Sequence, residues 1–289
     1  MNILEDVVEG YQEALKCKNK PKYDVDSIDN IASAVSKIIS GSNPSLKDTT
    51  KDPDLKRFFK EYTLDEETVD EFGRDSSSRI LISDFDPARL RPTNYDLRLG
   101  QEVYVTGDTV PRNLGGDENE NWVAIEPGEF GILMTHEYIH VPLKYLGMIS
   151  LRFSYKKEGL VNISGFHVDP GFTGRIIFSV FNTGPRSVVL RYKDPVFMIM
   201  FDTLSEPPLT KKGGYSEGFS GQKHIPVDMI TSLGGPSVSV IALDRRLRKM
   251  ESTLRVLETV LVGLFIAAVG YIAVSWIAQA FPWLHLPIP

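Results

Sequence analysis

The spacing of hydrophobic residues changes twice along this chain. Through residues 1–75 they recur every three or four residues, which predicts short amphipathic helices in polar surroundings. The charged segments Lys47–Lys60 and Asp65–Asp75 are typical of solvated helix faces. No catalytic motif falls here, so we interpret residues 1–75 as a helical appendage that packs on the chain or on an unidentified partner. The repeating positions are Ile3, Val7, Tyr11 and Leu15, then Ile28, Ile31, Ala34, Ile38 and Ile39.

From Arg79 the pattern changes to short runs rich in Val, Ile, Phe and Tyr, separated by Gly, Pro, Asp and Asn. Many such runs without long helices between them predict a sandwich or barrel, here a mainly β domain over residues 79–228. Gly115–Asn121 is expected to be a loop and Pro207–Gly221 a mobile segment. The predicted strands are Ile80–Ser83, Tyr95–Leu99, Glu102–Val105, Trp122–Ile125, Phe130–Thr135, Ile139–Pro142, Met148–Phe153, Arg175–Phe181, Ser187–Leu190 and Val196–Thr203.

A third spacing begins near the C-terminus, where large apolar residues are separated by three and four residues alternately. These are the a and d positions of a heptad repeat, which predicts a coiled-coil stalk over residues 238–258. Arg246 then falls at position g and Glu251 at the following e′, a pairing that favours parallel chains. A lone amphipathic helix packed on its own domain is the alternative. The seam consists of Val240, Leu243, Leu247, Met250, Leu254, Leu257 and Leu261.

Residues 259–281 contain no charged side chain and predict a transmembrane helix. At about 1.5 Å per residue they span roughly 35 Å, enough for a bilayer core. Trp276 and Trp283 near the far end suit an interfacial position. Several cations precede the stretch and none follows it, which places the N-terminal domain in the cytoplasm and residues 282–289 outside. We therefore expect a single-pass membrane protein with a C-terminal anchor; a buried core helix is the alternative.

Composition narrows the classes of partner. The formal net charge of −6 argues against nucleic-acid binding, which needs a basic face to displace counterions. The single cysteine, Cys17, excludes an internal disulfide and a cysteine-based zinc cluster. We expect no zinc site, because the histidines have no recognisable metal spacing. They are His136, His140, His167 and His224.

Four segments between Arg79 and Asp228 carry the functional signal. In order they are PTNYDLRLG from Pro92, LRFSYKKEGL from Leu151, GFHVDPGFTGRIIFSVFNTG from Gly165, and FSGQ from Phe219. Four segments in a fixed order are far more specific than any one of them. Together they resemble the conserved segments of the dCTP deaminase and dUTPase superfamily. The resemblance implies a dUTPase-like, distorted jelly-roll domain that forms homotrimers with nucleotide pockets between subunits.

The resemblance also assigns phosphate and metal roles. Arg152, Ser154 and Lys157 match the phosphate-binding segment, and a guanidinium group offers a planar fork of donors suited to polyphosphate. Gln222 matches a residue of a C-terminal lid that contacts phosphate. Asp96 matches a carboxylate that supports water-coordinated Mg²⁺, bound together with the nucleotide, in the dUTPases.

Three further residues are implied near the sugar and the base. Asp169 matches the acid that positions the attacking water in dUTPases, and whose counterpart in deaminases helps to bind the sugar. Phe172 matches an aromatic residue beside the deoxyribose, and Asn182 ends a strand that would line the base pocket. A deoxynucleoside triphosphate or a related nucleotide is therefore the expected ligand.

Departures from the family pattern bear on activity. Deaminases need a glutamate on the strand predicted at Arg175–Phe181 as general acid and base. The matching residue is Ser179, whose hydroxyl does not titrate near neutral pH, so we expect deaminase activity to be lost. Phe153 replaces a phosphate-binding serine, and Lys157 replaces an arginine and loses its bidentate geometry.

These observations give three hypotheses. The first is a membrane-anchored homotrimer that senses a pyrimidine deoxynucleotide, a layout that would suit an antiviral defence effector. The second is a Mg²⁺-dependent dUTP or dCTP pyrophosphatase tethered to the membrane, with Asp169 as its catalytic residue. The third is a trimeric scaffold without a pocket, which would be favoured if the Phe153 ring filled the phosphate site.

Overall fold

The computed structural model describes residues 3–17, 51–74, 78–115, 121–206, 221–233 and 240–280. They belong to two compact units, residues 1–237 and 238–289. Several predictions lie outside the described residues. These are the helix at Ile28–Ile39, most of the loop at Gly115–Asn121, nearly all of Pro207–Gly221, and the tail at 282–289 with Trp283.

The described part of the first unit is mainly β, as the sequence predicts, and its largest sheet is curled. The strand order of that sheet is β8-β11-β5-β2-β13-β7-β9, with β3 paired to β2. Two small sheets have the orders β1-β6-β10 and β12-β4. The strands are β1 (Leu81–Ile82), β2 (Tyr95–Val105), β3 (Arg112–Asn113), β4 (Trp122–Ile125), β5 (Phe130–Thr135), β6 (Ile139–His140), β7 (Tyr145–Leu151), β8 (Leu160–Asn162), β9 (His167–Val168), β10 (Thr173–Gly174), β11 (Ile177–Asn182), β12 (Val188–Arg191) and β13 (Pro195–Thr203).

The strands alternate between a buried and a partly open face. On β11, Phe178, Val180 and Asn182 are buried, while the residues between them are only partly covered. Phe178 stacks on Phe197 of β13 with ring centroids 4.1 Å apart, deep in the core. The partly open face of β11, which carries Ser179, is therefore available to a ligand.

Three helices of the N-terminal segment pack on this β body. They are α1 (Ile3–Cys17), α2 (Pro53–Glu61) and α3 (Glu66–Arg74). Helix α1 packs on β1 through its predicted apolar stripe, and α3 packs on β1, β6 and β10. The carboxylate of Asp6 accepts hydrogen bonds from Ile80 N at 2.8 Å and from the Tyr145 hydroxyl at 3.1 Å. The described helices of residues 1–75 thus share their core with the β domain.

Three of the predicted strands differ most from the structure. Tyr95–Leu99 and Glu102–Val105 are halves of one strand, β2, whose pairing with β5 shifts register between Leu99 and Val103. At Gly100 a Cβ atom would lie 2.6 Å from Thr135 O, so only glycine fits this bulge. The strand predicted at Met148–Phe153 instead ends at Leu151. Phe153–Lys156 is one helical turn, α4, because the chain has left the ladder after Arg152 N donates to Val196 O.

The described part of the second unit is one continuous helix. Helix α6 runs from Val240 to Ala280, 41 residues, and a short helix, α5 (Val227–Leu233), precedes it in the first unit. Within α6, Arg246–Ile277 reaches a mean hydropathy of 2.3, and none of that apolar stretch is buried. By length and composition this helix is able to cross a membrane. The coiled coil stays a prediction.

Candidate functional site

The Asp-Pro-Gly segment folds into a tight turn beside β9. Phe172 N donates to Asp169 O at 3.2 Å, and Gly171 adopts a φ of +85°. Pro at the second and Gly at the third position are the residues that a type II turn requires. The turn brings Asp169 to the surface and buries Phe172 beneath it.

Residues 221–229, here called the strap, cross the next strand. Gly221 N donates to Thr173 O at 2.6 Å, Arg175 N donates to Gln222 O at 2.8 Å, and the Gln222 amide donates to Arg175 O at 2.9 Å. Gly174 has a φ of +158°, and a Cβ atom there would lie 3.0 Å from Gln222 N. Glycine at this position thus permits the close approach of the strap.

A cleft of about 380 Å³ lies between the turn, β11 and the strap. Its volume falls in the range of small-molecule sites, roughly 300–1,000 Å³. The cleft combines an apolar floor with polar groups at several points of its wall. The polar lining consists of Ser164, His167, Asp169, Ser179, Gln222 and Asp228, and the apolar lining includes Ile149, Phe172, Ile176, Ile177, Pro226 and Met229.

The structure therefore brings Asp169, Phe172 and Gln222 together, with Ser179 in the same wall. Ser179 is held by its backbone: its N–H donates to the Ser164 hydroxyl at 3.2 Å, and its carbonyl accepts from Ile163 N at 2.8 Å. The side chain at this position is thereby fixed toward the cleft. A carboxylate acting as general acid and base is missing from that point of the wall.

A histidine and a carboxylate lie in contact at the rim of the cleft. His167 Nε2 lies 3.3 Å from Asp169 Oδ1, and both side chains are a little over 40% exposed, at 43% and 44%. A histidine that touches a carboxylate can orient it or share a proton with it. The pair is open to solvent and to a ligand.

The cleft is not lined by the residues expected to bind phosphate, which are Arg152, Ser154 and Lys157. Val168 pairs with Gly147, so Asp169 stands beside Leu146, six residues before Arg152. At about 3.3 Å per residue this separation is about 20 Å. Ser154 and Lys157 are exposed on and just after the α4 turn.

Phe153 does not fill the space beside Arg152. Its side chain is 74% exposed, whereas the Arg152 guanidinium lies against the body of the domain. Arg152 Nη1 is 3.4 Å from Pro195 O, and Arg152 Nε is 3.7 Å from Asp96 Oδ2. The observation that would have favoured a scaffold with a blocked site is therefore absent from the described chain.

Asp96 is buried and already engaged. Arg91 Nε donates to Asp96 Oδ2 at 3.1 Å, and the Asn94 amide donates to Oδ1 at 3.0 Å. With Arg152 also close, the carboxylate faces two guanidinium groups, and its expected role in supporting water-coordinated Mg²⁺ stays a prediction. Among the described residues, no three His, Cys, Asp or Glu side chains are grouped as a metal site would need. As it stands, this carboxylate anchors the Arg152 side chain.

Asn182 braces a hairpin instead of lining the cleft. Its amide donates to Ile125 O at 2.7 Å and to Arg186 O at 2.8 Å, and its side-chain carbonyl accepts from Gly184 N at 2.9 Å. The side chain is fully buried. The hydrogen-bonding groups of the Asn182 side chain are thus used inside the fold.

Sequence reasoning missed three contributors to the cleft. Ser164 immediately precedes the diagnostic segment, and Asp228 and Met229 follow the lid segment. Their proximity in sequence to recognised motifs was the signal that could have identified them. The neighbouring Lys223 and His224 line a second, more polar cleft of about 270 Å³ with Glu66, Glu102 and Arg175.

Comparison with known proteins places these features in context. A family model described as dCTP deaminase-like matches residues 64–204. A dCTP deaminase of Pyrococcus abyssi is 33% identical over 146 residues, which are 50% of this chain and 89% of that protein. A dCTP deaminase of Thermococcus kodakarensis is 35% identical over 147 residues, 50% of this chain and 88% of that protein.

A solved structure is also similar. The dUTPase of Staphylococcus bacteriophage 80alpha, solved with dUpNHpp, is 13% identical and has a TM-score of 0.32. The match covers 46% of this chain and 88% of that one. The family match at residues 64–204 includes the Asp169 turn and β11, and it leaves out α1, the strap and α6.

Proposed function

The chain belongs to the dCTP deaminase-like family, and from this we propose that it is a membrane-anchored homotrimer that binds a pyrimidine deoxynucleotide without deaminating it. The ligand would enter the cleft beside Asp169. The chain would act as a sensor or effector whose bound state is passed to α6. Antiviral defence is one setting for such a protein.

One observation carries this proposal. Asp169, Phe172 and Gln222 line one ligand-sized space, and Ser179, which the family resemblance matches to the deaminase glutamate, lines the same wall. The buried ring of Phe172 offers an apolar surface to a sugar, and the Asp169 carboxylate accepts hydrogen bonds from its hydroxyl. A serine cannot shuttle the protons that attack on the pyrimidine ring requires.

The geometry of the phosphate segment favours a site shared between subunits. Arg152 is not among the residues that line the cleft, and its backbone is about 20 Å from that of Asp169 along β7. A second copy that presents its own Arg152 at the cleft would supply the missing cation. Ser154 and Lys157, which are exposed on the same turn, would accompany it.

The position of the strap favours sensing. Gln222 and Met229 line the cleft, and α6 begins at Val240, eleven residues after Met229. A ligand in the cleft would therefore touch the last described segment before the membrane-length helix. We infer that a change in the strap on ligand binding would be passed along the chain to α6.

Calorimetric titration of the full-length chain in detergent with dCTP, dUTP and dTTP tests binding. We expect saturable binding by at least one of them, at one site per subunit. Asp169→Asn should weaken it by about tenfold, the loss of one charged hydrogen bond. Asp202→Asn, at an exposed position of β13, is the matched control and should bind as the wild type does. Absence of heat at about 1 mM ligand, the range of very weak binding, would refute the proposal.

A second candidate is favoured by the His167–Asp169 pair. In a nucleotide pyrophosphatase, a carboxylate at the rim would orient water toward a phosphorus atom, and the P–O bond to pyrophosphate would break. We would then expect pyrophosphate release from dUTP or dCTP in the presence of Mg²⁺, abolished by Asp169→Asn and reduced by His167→Asn. Equal background release from the wild type and both variants excludes this activity.

A further inference from the structure

The apolar seam of α6 lies open in the part of the helix that precedes the membrane-length stretch. Leu247, Met250, Leu254 and Leu257 are 54%, 61%, 63% and 57% exposed. This part of the helix also carries charged side chains, among them Lys249, Glu251 and Arg255. We therefore expect it to lie in water. Large apolar side chains at heptad spacing need a partner there.

The same alternation of three and four continues into the apolar stretch. After Leu261 it selects Leu264, Ala268, Tyr271 and Ser275. Because α6 is one uninterrupted helix, these residues continue the face that carries the leucines. Two of the few hydrogen-bonding side chains in the stretch thus fall on the seam.

Tyr271 is the informative member of this set. It lies twelve residues after Thr259 and ten before Phe281, so its hydroxyl is near the middle of the stretch. Thr259 satisfies its own hydroxyl by donating to Arg255 O at 2.8 Å. A phenol on a rigid ring cannot bond to its own helix in this way. In hydrocarbon, where water is absent, the Tyr271 hydroxyl needs a partner from another helix.

We propose that the α6 helices of two or more copies of this chain pack in parallel along one seam that continues from Leu247 through the bilayer to Ser275. Tyr271 and Ser275 hydroxyls hydrogen-bond between copies at its centre. Arg246 and Glu251, at g and e′, give parallel copies complementary charges before the membrane. This interface rests on the membrane anchoring of the proposed function and does not depend on nucleotide binding.

A different face of α6 offers a competing contact. Thr259, Gly263 and Ala267 recur every four residues, and small residues at that spacing favour a right-handed crossing of close helices. Tyr271 and Ser275 also fall on that series. The adjacent alanines separate the two arrangements, because Ala268 belongs to the seam and Ala267 to the four-residue series.

Disulfide cross-linking of the full-length chain in phosphatidylcholine vesicles tests the seam. In a Cys17→Ser background, Ala268→Cys and Ala267→Cys each provide one thiol and differ by a single position. With mild oxidation we expect at least about fivefold more cross-linked dimer from Ala268→Cys, since a and d side chains face their counterparts. Adding Tyr271→Phe, which removes only the hydroxyl, should lower that yield.

Each outcome is decisive. More cross-linking from Ala267→Cys, or none from either variant, overturns the seam, the latter leaving a different protein as the occupant of this face. A chain that does not float with the vesicles overturns the anchoring and the seam together. Titration of the same preparation with nucleotide is read separately, so loss of binding with a normal cross-linking pattern contradicts only the nucleotide proposal.

Discussion

Asp84 follows β1 and contacts Arg98 on β2 and His136 at the end of β5. Its carboxylate Oδ2 lies 3.1 Å from His136 Nε2, and its carbonyl accepts from Arg98 Nη2 at 2.8 Å. Its φ of +48° is in the left-handed region, which Asp and Asn tolerate best among residues with a side chain. The hydrogen bond from His136 lowers the pKa of Asp84 below its ordinary value.

We expect Asp84→Asn to remove this charge without disturbing the turn. A carboxylate with a lowered pKa stabilises the fold above the pKa of the unfolded chain, about 4, and loses that contribution as the pH falls through its folded value. The wild type should therefore be more stable than the variant at about pH 6, and the difference should be smaller at about pH 3.

Urea unfolding of residues 1–237, the first compact unit, measures that difference. Asp202→Asn serves as the control for loss of one negative charge. A difference that is unchanged between the two pH values would show that the charge of Asp84 is not its source.

Ser179 permits a gain-of-function test of the proposed loss of deaminase activity. We expect no ammonia release from dCTP by the wild type, and Ser179→Glu should restore a carboxylate to the cleft wall. Weak, measurable release by this variant is the expected result if the rest of the site is intact. Ser164→Glu, at a neighbouring position of the same wall, should remain inactive. Release by the wild type would contradict the proposed loss of activity.

At the scale of elements, α1 is fastened to the β body by polar bonds that its apolar periodicity does not reveal. The Tyr11 hydroxyl donates to Ile82 O at 2.5 Å and accepts from Phe85 N at 3.2 Å. Tyr11 is fully buried, and burial raises the pKa of its hydroxyl. The phenol therefore stays neutral and keeps both bonds through the physiological pH range.

Tyr11→Phe should lower the unfolding free energy by about 1–3 kcal/mol, because it leaves two buried backbone groups unpaired. Tyr104→Phe is the matched control: Tyr104 is also buried, and no hydrogen bond of its hydroxyl is found among the described residues. Thermal unfolding of both variants of residues 1–237 gives the comparison. Equal shifts in the two would mean that the Tyr11 hydroxyl is not what fastens α1.

The sequence predicts best the elements in which apolar residues repeat over several positions, and the turns that contain Pro and Gly. Helix α1, strands β4 and β5, and the turn at Asp169 follow from apolar spacing or from Pro and Gly. Strands of two or three residues, such as β9 and β10, are too short to show a period. The turn at α4 was missed because Arg152 continues the strand ladder by one bond before the chain turns away.

The candidate site was predictable in part, for a reason visible on β11. Side chains alternate along a strand, so residues three apart face opposite sides. Ser179 and Asn182 differ by three positions, which places one in the cleft wall and the other in the core. The opposite orientation of Ser179 and Asn182 follows from the sequence alone. The ion pairs of Asp96 do not, because they depend on residues that only folding brings together.

At the scale of the whole molecule, the proposal requires self-association and a membrane. The full-length chain in detergent should have a protein mass of about three times its 32.4 kDa, measured by light scattering with the detergent contribution subtracted. It should float with lipid vesicles, whereas residues 1–237 should stay in the aqueous fraction. A monomeric mass would contradict the shared site, and flotation of residues 1–237 would contradict α6 as the anchor.

The fastening of α1 and the strap has a practical consequence for anyone who isolates this protein in pieces. A fragment cut to the homologous region alone, residues 64–204, would lose the helix that covers Ile80 and the crosspiece beside Gly174. The apolar residues exposed on its sheet would promote aggregation. Its ligand cleft would lack the wall that the strap forms. Negative binding results from such a fragment would say nothing about the intact chain, whose first compact unit extends through residue 237.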